Sequence, residues 1–214
     1  MSCQLVIFDC DGILVDSEPL ANRVLSACFQ AAGFPISYET CVDEMMGLPL
    51  PRCFELAQEW HGKPVPEGFF DTVQDRTYEA IRQELQPIPG VRHAIEAIPL
   101  PRCVASSSER DKIALSLSQT GLLELFGKNY YSAEQVARGK PFPDLFLFAA
   151  KQMGVAPKDC MVIEDSFYGA RAARSAGMPV LGYTGSGFAR QLADEGARVF
   201  DDMAALPAML GFGA

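Results

Sequence analysis

Residues 3–12 read Cys3-Gln4-Leu5-Val6-Ile7-Phe8-Asp9-Cys10-Asp11-Gly12, an apolar run that ends in two carboxylates and a glycine. A short run without polar alternation is the pattern of a strand buried on both faces, as in a parallel sheet covered by helices. Asp9 and Asp11 then fall at its carboxyl end, where open parallel sheets bind their ligands. Gly12 lets the chain turn sharply straight afterwards. If the strand continues, the two carboxylates point to the same side and repel one another without a cation. With Cys10 between them pointing to the opposite side, the two carboxylates offer an oxygen-rich cluster that suits a hard ion such as magnesium.

Similar runs recur much later, at Arg102–Ser106 (RCVAS), Cys160–Glu164 (CMVIE), Val180–Tyr183 (VLGY) and Arg198–Phe200 (RVF), with Tyr130-Tyr131 a weaker candidate. Segments of helical period separate them. Over 108–120, Ser108 and Asp111 resemble a capping box and Gly121 closes the helix. Over 143–153, Pro143 suits the first turn. Over 167–176, Asp165 or Ser166 opens the helix and Gly177 stops it. This alternation predicts an α/β fold, an open parallel sheet with right-handed crossovers and helices on both faces. Between Asp16 and Pro87 the alternation fails, and the segments 20–32, 39–46, 51–61 and 69–86 all read as helices. The expected organisation is therefore a core of residues 1–15 and 88–214, with a helical domain of residues 16–87 inserted after the first strand. The Asp16-Ser17 entry and the Pro87-Ile88-Pro89-Gly90 exit are the natural hinge.

Composition narrows the partners. A net charge of −9 over 214 residues repels nucleic-acid backbones and anionic lipid, so neither is expected to bind. Seven scattered cysteines and two histidines, without a CxxC pair, predict neither a disulfide framework nor a zinc site. They read as small buried hydrophobes in a reducing compartment, which makes the cytoplasm the expected address. No apolar run approaches a membrane span and none reads as a coiled coil, so the expectation is a monomer without a membrane partner.

An acidic protein that binds an anion needs local cations. Glu164-Asp165 end a second strand, and the parallel arrangement brings them to the rim that carries Asp9 and Asp11. Ser106, Ser107 and Ser108 lead from a strand into a helix whose first amides can hold an anion. Lys140, in Gly139-Lys140-Pro141, precedes another helix and offers a point charge for a phosphoryl oxygen.

Taken together, DCDG with Asp16-Ser17-Glu18, Ser106 after its strand, Lys140 in GKPFPD, and Glu164-Asp165-Ser166 resemble the haloacid dehalogenase superfamily. The helical insert resembles the small cap of the subgroup that includes beta-phosphoglucomutase and many sugar-phosphate phosphatases. The resemblance implies a Rossmann-like core and a magnesium-dependent phosphatase acting on a small phosphorylated metabolite, a sugar phosphate or sugar-acid phosphate. Asp9 would attack phosphorus, and Asp11 would protonate the leaving alcohol and then activate water. Magnesium would be held by Asp9, the main-chain carbonyl of Asp11 and Asp165, with Glu164 a further candidate. Ser106, Ser107 and Lys140 would orient the phosphoryl oxygens. In the insert, Glu18 and Arg52 are candidates to face the substrate.

A phosphomutase is the alternative. Relative to beta-phosphoglucomutase, however, Ala21 stands at the position of its hinge histidine and Leu50 at that of its cap-loop arginine, for which Arg52 could substitute. Asp11 and Gly12 argue against a dehalogenase, whose relatives lack the second aspartate. A phosphonate hydrolase would need a cap lysine as Schiff base, and the insert's one lysine, Lys63, has no desolvating surroundings. A binding module without turnover would not need the intact nucleophile, acid and lysine.

Overall fold

In the computed structural model, which describes residues 3–185 and 187–212, the opening apolar run forms β1 (Leu5–Phe8). The strands β2 (Arg102–Ser106), β3 (Tyr130–Ser132), β4 (Cys160–Glu164), β5 (Val180–Tyr183) and β6 (Arg198–Phe200) follow. Among the described residues they make one six-stranded sheet in the order β3-β2-β1-β4-β5-β6, with every pairing parallel. The expected α/β fold is the fold found, and Tyr130-Tyr131 belong to a true edge strand.

The chain divides into two compact units, Met1–Asp16 with Gln86–Ala214, and Ser17–Leu85. The second contains α1 (Glu18–Ala31), α2 (Tyr38–Met45), α3 (Leu50–His61) and α4 (Phe69–Glu84). The sheet unit carries α5 (Val91–Glu96), α6 (Arg110–Gln119), α7 (Leu123–Phe126), α8 (Asp144–Gln152), α9 (Phe167–Ser175), α10 (Ala189–Asp194) and α11 (Leu206–Met209). No helix among the described residues is long and apolar enough to cross a membrane.

Burial on both faces explains why β1 lacks polar alternation: Leu5, Val6, Ile7 and Phe8 are all at most 1% exposed. Leu5 and Ile7 join a core with Leu145, Phe146 and Ala149 of α8, Ala170 and Ala173 of α9, and Leu192 of α10. Phe8, of opposite parity, meets Phe126 of α7 edge-on at 5.8 Å. The strand order reverses around β1, so the crevice beside it is the topological switch point of the sheet. Register then fixes which residues emerge there. Phe8 is level with Val104 on one side and with Ile163 on the other. Asp9, Ser106 and Glu164-Asp165 therefore leave the sheet at one rim.

One local expectation is corrected, and four short helices go beyond it. The helix read from Ser108 begins at Arg110, and its cap, Glu109, makes no side-chain hydrogen bond. The Ser108 hydroxyl donates to Asp11 instead, and its carbonyl accepts from the Ser132 hydroxyl. Tertiary partners thus outbid the local capping box. The short helices α5, α7, α10 and α11 escape the periodicity argument because four to six residues span less than two turns. At α9 the open choice resolves to Ser166, whose hydroxyl accepts from the Gly169 amide at 3.0 Å.

In the helical unit the core is built around Phe29 of α1. Its ring lies 5.9 Å from Phe34, 6.1 Å from Phe54 and 5.4 Å from Phe69. In the sheet unit, Gly169 does a job no other residue could do. A Cβ there would come within 1.7 Å of Glu164 Oε1, so the first turn of α9 must be bare for the carboxylate to lie against it.

Both packings are testable. Phe29→Ala should cost about 3–5 kcal/mol in urea unfolding of the helical unit. Gly169→Ala should lower stability by roughly 2 kcal/mol, although alanine is the better helix former by about 1 kcal/mol; a neutral or stabilised variant would contradict the close approach.

Candidate active site

Asp9 is the first residue beyond β1, and its amide still donates to the Ile163 carbonyl at 2.9 Å, which holds it at the level of Glu164. Lys140 reaches in from the loop before α8 and bridges the two strand ends. Its Nζ lies 3.0 Å from Asp9 Oδ1 and 2.5 Å from Glu164 Oε1, with the lysine side chain 4% exposed. Nζ also sits 5.1 Å from the centre of the Phe146 ring, a further source of attraction for a cation. Burial alone would lower the lysine pKa, but the Asp9 and Glu164 carboxylates outweigh it and the ammonium is held well above its ordinary value. Asp9 behaves differently. Burial pushes its pKa up, Lys140 pulls it down, and Glu164 and Asp11 add repulsion, leaving it raised to about 7.

Glu164 is fully buried and both its oxygens are engaged. Oε1 takes Lys140, while Oε2 accepts from the amides of Asp165 (3.0 Å) and Ser166 (2.9 Å) and from the Ser166 hydroxyl (2.9 Å). It therefore ties the lysine to the start of α9. Asp165 lies against Gly12, where a Cβ would stand 2.1 Å from Asp165 Oδ2. Gly12 is required twice, for this approach and for its φ of 75° in the turn after Asp11.

Asp9, Glu164 and Asp165 each present a carboxylate oxygen within 4.8 Å of the others. Asp9 Oδ1 is buried, with the Lys140 ammonium as its ion-pair partner at 3.0 Å and no further hydrogen bond. A buried carboxylate oxygen with only one partner keeps lone-pair capacity for a metal ion or an electrophile. The donor set is all oxygen, and it fits a hard divalent ion.

Asp11 stands apart from this trio. Its Oδ2 accepts from the Ser108 hydroxyl at 2.7 Å, and Lys112 Nζ lies 3.1 Å and 3.2 Å from its two oxygens. Ser106 is buried, and its hydroxyl accepts from the Ser108 amide at 3.1 Å, so it shapes the loop; Ser107 is exposed. The loop, rather than the helix, surrounds the anion seat expected there, because α6 starts only at Arg110. In the helical unit, Glu18 is the first residue of α1. Arg52 is half-exposed and pairs with Glu55 at 2.9 Å and Glu59 at 3.0 Å on its own helix.

Sequence reading missed Lys112 and Gly169. Lys112 sits in Glu109-Arg110-Asp111-Lys112, which reads as a solvated first turn; its one signal is the four-residue spacing from Ser108. Gly169 carried no signal, because nothing local tells that a carboxylate five residues earlier folds over it.

The haloacid dehalogenase-like hydrolase family matches residues 3–177. The 6-phosphogluconate phosphatase of Escherichia coli K12 is 29% identical over 208 residues, covering 95% of this chain and 93% of that one. Among solved structures, a conserved haloacid dehalogenase-like protein from Agrobacterium tumefaciens superposes with a TM-score of 0.88 at 35% identity, covering 98% of both chains. A haloacid dehalogenase family hydrolase from Deinococcus radiodurans, solved with phosphate and sodium bound, gives a TM-score of 0.84 at 31% identity, covering 98% of this chain and 97% of that one. Strand order, the acidic rim and the buried lysine agree with the family match over most of the chain, and the protein is a haloacid dehalogenase-like hydrolase.

Proposed function

We propose that the protein is a magnesium-dependent phosphatase that removes phosphate from a small metabolite, a sugar phosphate or sugar-acid phosphate, through a phosphorylated intermediate on Asp9. The observation that carries the reading is the buried Asp9 oxygen that has a lysine ammonium 3.0 Å away as its ion-pair partner and no further hydrogen bond. A carboxylate so placed is kept available for attack, with a cation at hand to hold the incoming phosphoryl oxygens. The phosphatase named among its relatives acts on a sugar-acid phosphate, which favours that substrate class.

In the first step a carboxylate oxygen of Asp9 bonds to phosphorus, the bond from phosphorus to the ester oxygen breaks, and Asp11 gives its proton to the departing alcohol. In the second, Asp11 takes a proton from water as the water oxygen attacks the aspartyl phosphate, releasing inorganic phosphate and restoring Asp9. Lys140 orients phosphoryl oxygens, and the Ser106-Ser107 loop closes the seat around them. Asp9, Asp165 and the main-chain carbonyl of Asp11 would hold magnesium, with Glu164 fixing the lysine beside them. When bound, the ion offsets negative charge on the transferred group. Among the described residues four carboxylates at this rim are met by two lysines, so a divalent cation would offset part of the remaining charge. Ala21 and Leu50, at the positions where a mutase of this subgroup has histidine and arginine, favour water as the acceptor.

The reading is tested by phosphate release from a panel of sugar phosphates, sugar-acid phosphates, phosphoglycolate and mononucleotides, with magnesium or EDTA. Asp9→Asn should abolish a magnesium-dependent release, by about 1,000-fold or more. Phosphate that migrates between positions of a hexose phosphate without release would identify a mutase instead. A second expectation concerns protons. Burial and the neighbouring carboxylates raise the Asp9 pKa to about 7, so a proton competes with magnesium for this carboxylate. The raised value also means that the ion-free fold loses this contribution to stability as pH climbs from the ordinary aspartate range through about 7. Magnesium must displace the proton to bind. Calorimetric titrations at about pH 6 in two buffers of different ionisation enthalpy should report proton release, shrinking at about pH 8.5 and absent in Asp9→Asn.

A further inference from the structure

We propose that Lys112, together with Ser108, is the positioning device for Asp11, fixing the orientation of the carboxylate that handles the proton. The inference rests on the phosphatase reading above, in which Asp11 is the acid and then the base.

Asp11 needs such a device. It lies beyond β1 in a turn whose backbone is tied by Gly12 N to Val15 O at 2.9 Å and Leu14 N to Cys10 O at 2.8 Å. Those bonds fix the Cα of Asp11 but leave two side-chain torsions free. A group that must deliver a proton to one oxygen and later take one from another has to stay within hydrogen-bonding reach of both. A loss of alignment of about 1 Å can cost on the order of 100-fold in rate.

Three contacts remove that freedom. Lys112 Nζ spans both carboxylate oxygens, at 3.1 Å and 3.2 Å, and the Ser108 hydroxyl donates to Oδ2 at 2.7 Å. Lys112 Nζ also lies 3.0 Å from the Ser108 hydroxyl, which closes a triangle and sets that hydroxyl's direction. The triangle is anchored to the sheet. The Ser108 carbonyl accepts from the hydroxyl of Ser132, a fully buried residue ending β3, and the Ser108 amide donates to Ser106 at the end of β2. Lys112 itself is on the first turn of α6, four residues after Ser108.

Stability does not explain the arrangement. The pair is part-buried, about a quarter exposed on each side, so water still screens it in part and its contribution to stability is modest beside its effect on geometry. What the contacts provide is direction. The two lysines of the rim are thus divided, Lys140 between Asp9 and Glu164, and Lys112 to Asp11.

The test uses the full chain with magnesium and two probes, 6-phosphogluconate and p-nitrophenyl phosphate, on wild type, Lys112→Met, Lys112→Arg, Ser108→Ala, Asp11→Asn and the Asp11→Asn/Lys112→Met double variant. Lys112→Met should lower kcat about ten-fold or more while KM stays within about two-fold. Its melting temperature should match wild type. Lys112→Arg, whose fork can span both oxygens, should recover most of the activity, and Ser108→Ala should show the same kcat signature in smaller measure. Because Lys112 acts through Asp11, adding Lys112→Met to Asp11→Asn should cost less than about two-fold more. A kcat for Lys112→Met equal to or above wild type, or an equal loss in both backgrounds, would overturn the proposal while leaving the phosphatase reading intact. A wild type without magnesium-dependent release from either ester would overturn both.

Discussion

The buried ammonium of Lys140, shared between Asp9 and Glu164, is the constraint around which the carboxyl end of this sheet is arranged. A charge taken out of water is tolerated only when it is paired and hydrogen-bonded, and removing one partner from such a group typically costs about 3–5 kcal/mol. Here the partners come from the ends of two adjacent strands and the lysine from the loop ahead of α8. The three segments cannot separate without stranding a charge. Two glycines serve the same arrangement, Gly169 by leaving room for the Glu164 carboxylate and Gly12 by leaving room for that of Asp165.

That constraint divides four carboxylates into roles. Glu164 spends both oxygens on the lysine and on the start of α9, which makes it a fixed counter-charge. Asp9 retains a buried oxygen with no hydrogen bond beyond its ion pair with Lys140, and the burial that raises its pKa also leaves it little hydrated. Asp11 is nearer to water and is gripped by a hydroxyl and a second lysine. Carboxylates with such unequal surroundings are suited to unequal tasks, one forming a bond to the substrate and another moving protons.

The sheet makes this economy possible. With β1 in the middle and strands added to either side of it, the carboxyl ends of β1, β2 and β4 meet at the point where the order reverses. The register pairs Phe8 with Ile163 and with Val104, so residues more than 90 positions apart in the chain become neighbours. Ser132, at the end of the edge strand β3, then reaches the Ser108 carbonyl and steadies the loop that holds Asp11.

Much of this was legible in the chain itself. The unbroken apolar run before Asp9 required a strand covered on both faces, and the later alternation of runs and helical periods required a parallel sheet. Strand ends carry ligands in such sheets, so Asp9, Asp11, Ser106 and Glu164-Asp165 could be assigned to one rim from local pattern alone. The exclusively helical reading of residues 16–87 likewise came from periodicity, which is strong over segments of this length. What the sequence could not determine was how polar groups on different strands share one another. Ser108 has the local chemistry of a helix cap, and only its tertiary neighbours turned it to Asp11. Lys112 has the composition of a solvated helix turn, and Gly169 that of an ordinary helical glycine. Glu164 read as one more oxygen for a metal, and only the fold showed that the same carboxylate also takes Lys140 and the α9 amides. Hydrophobic period is a property of neighbours along the chain, whereas the partner of a buried charge is chosen by the fold, and the partners are what made this rim a site.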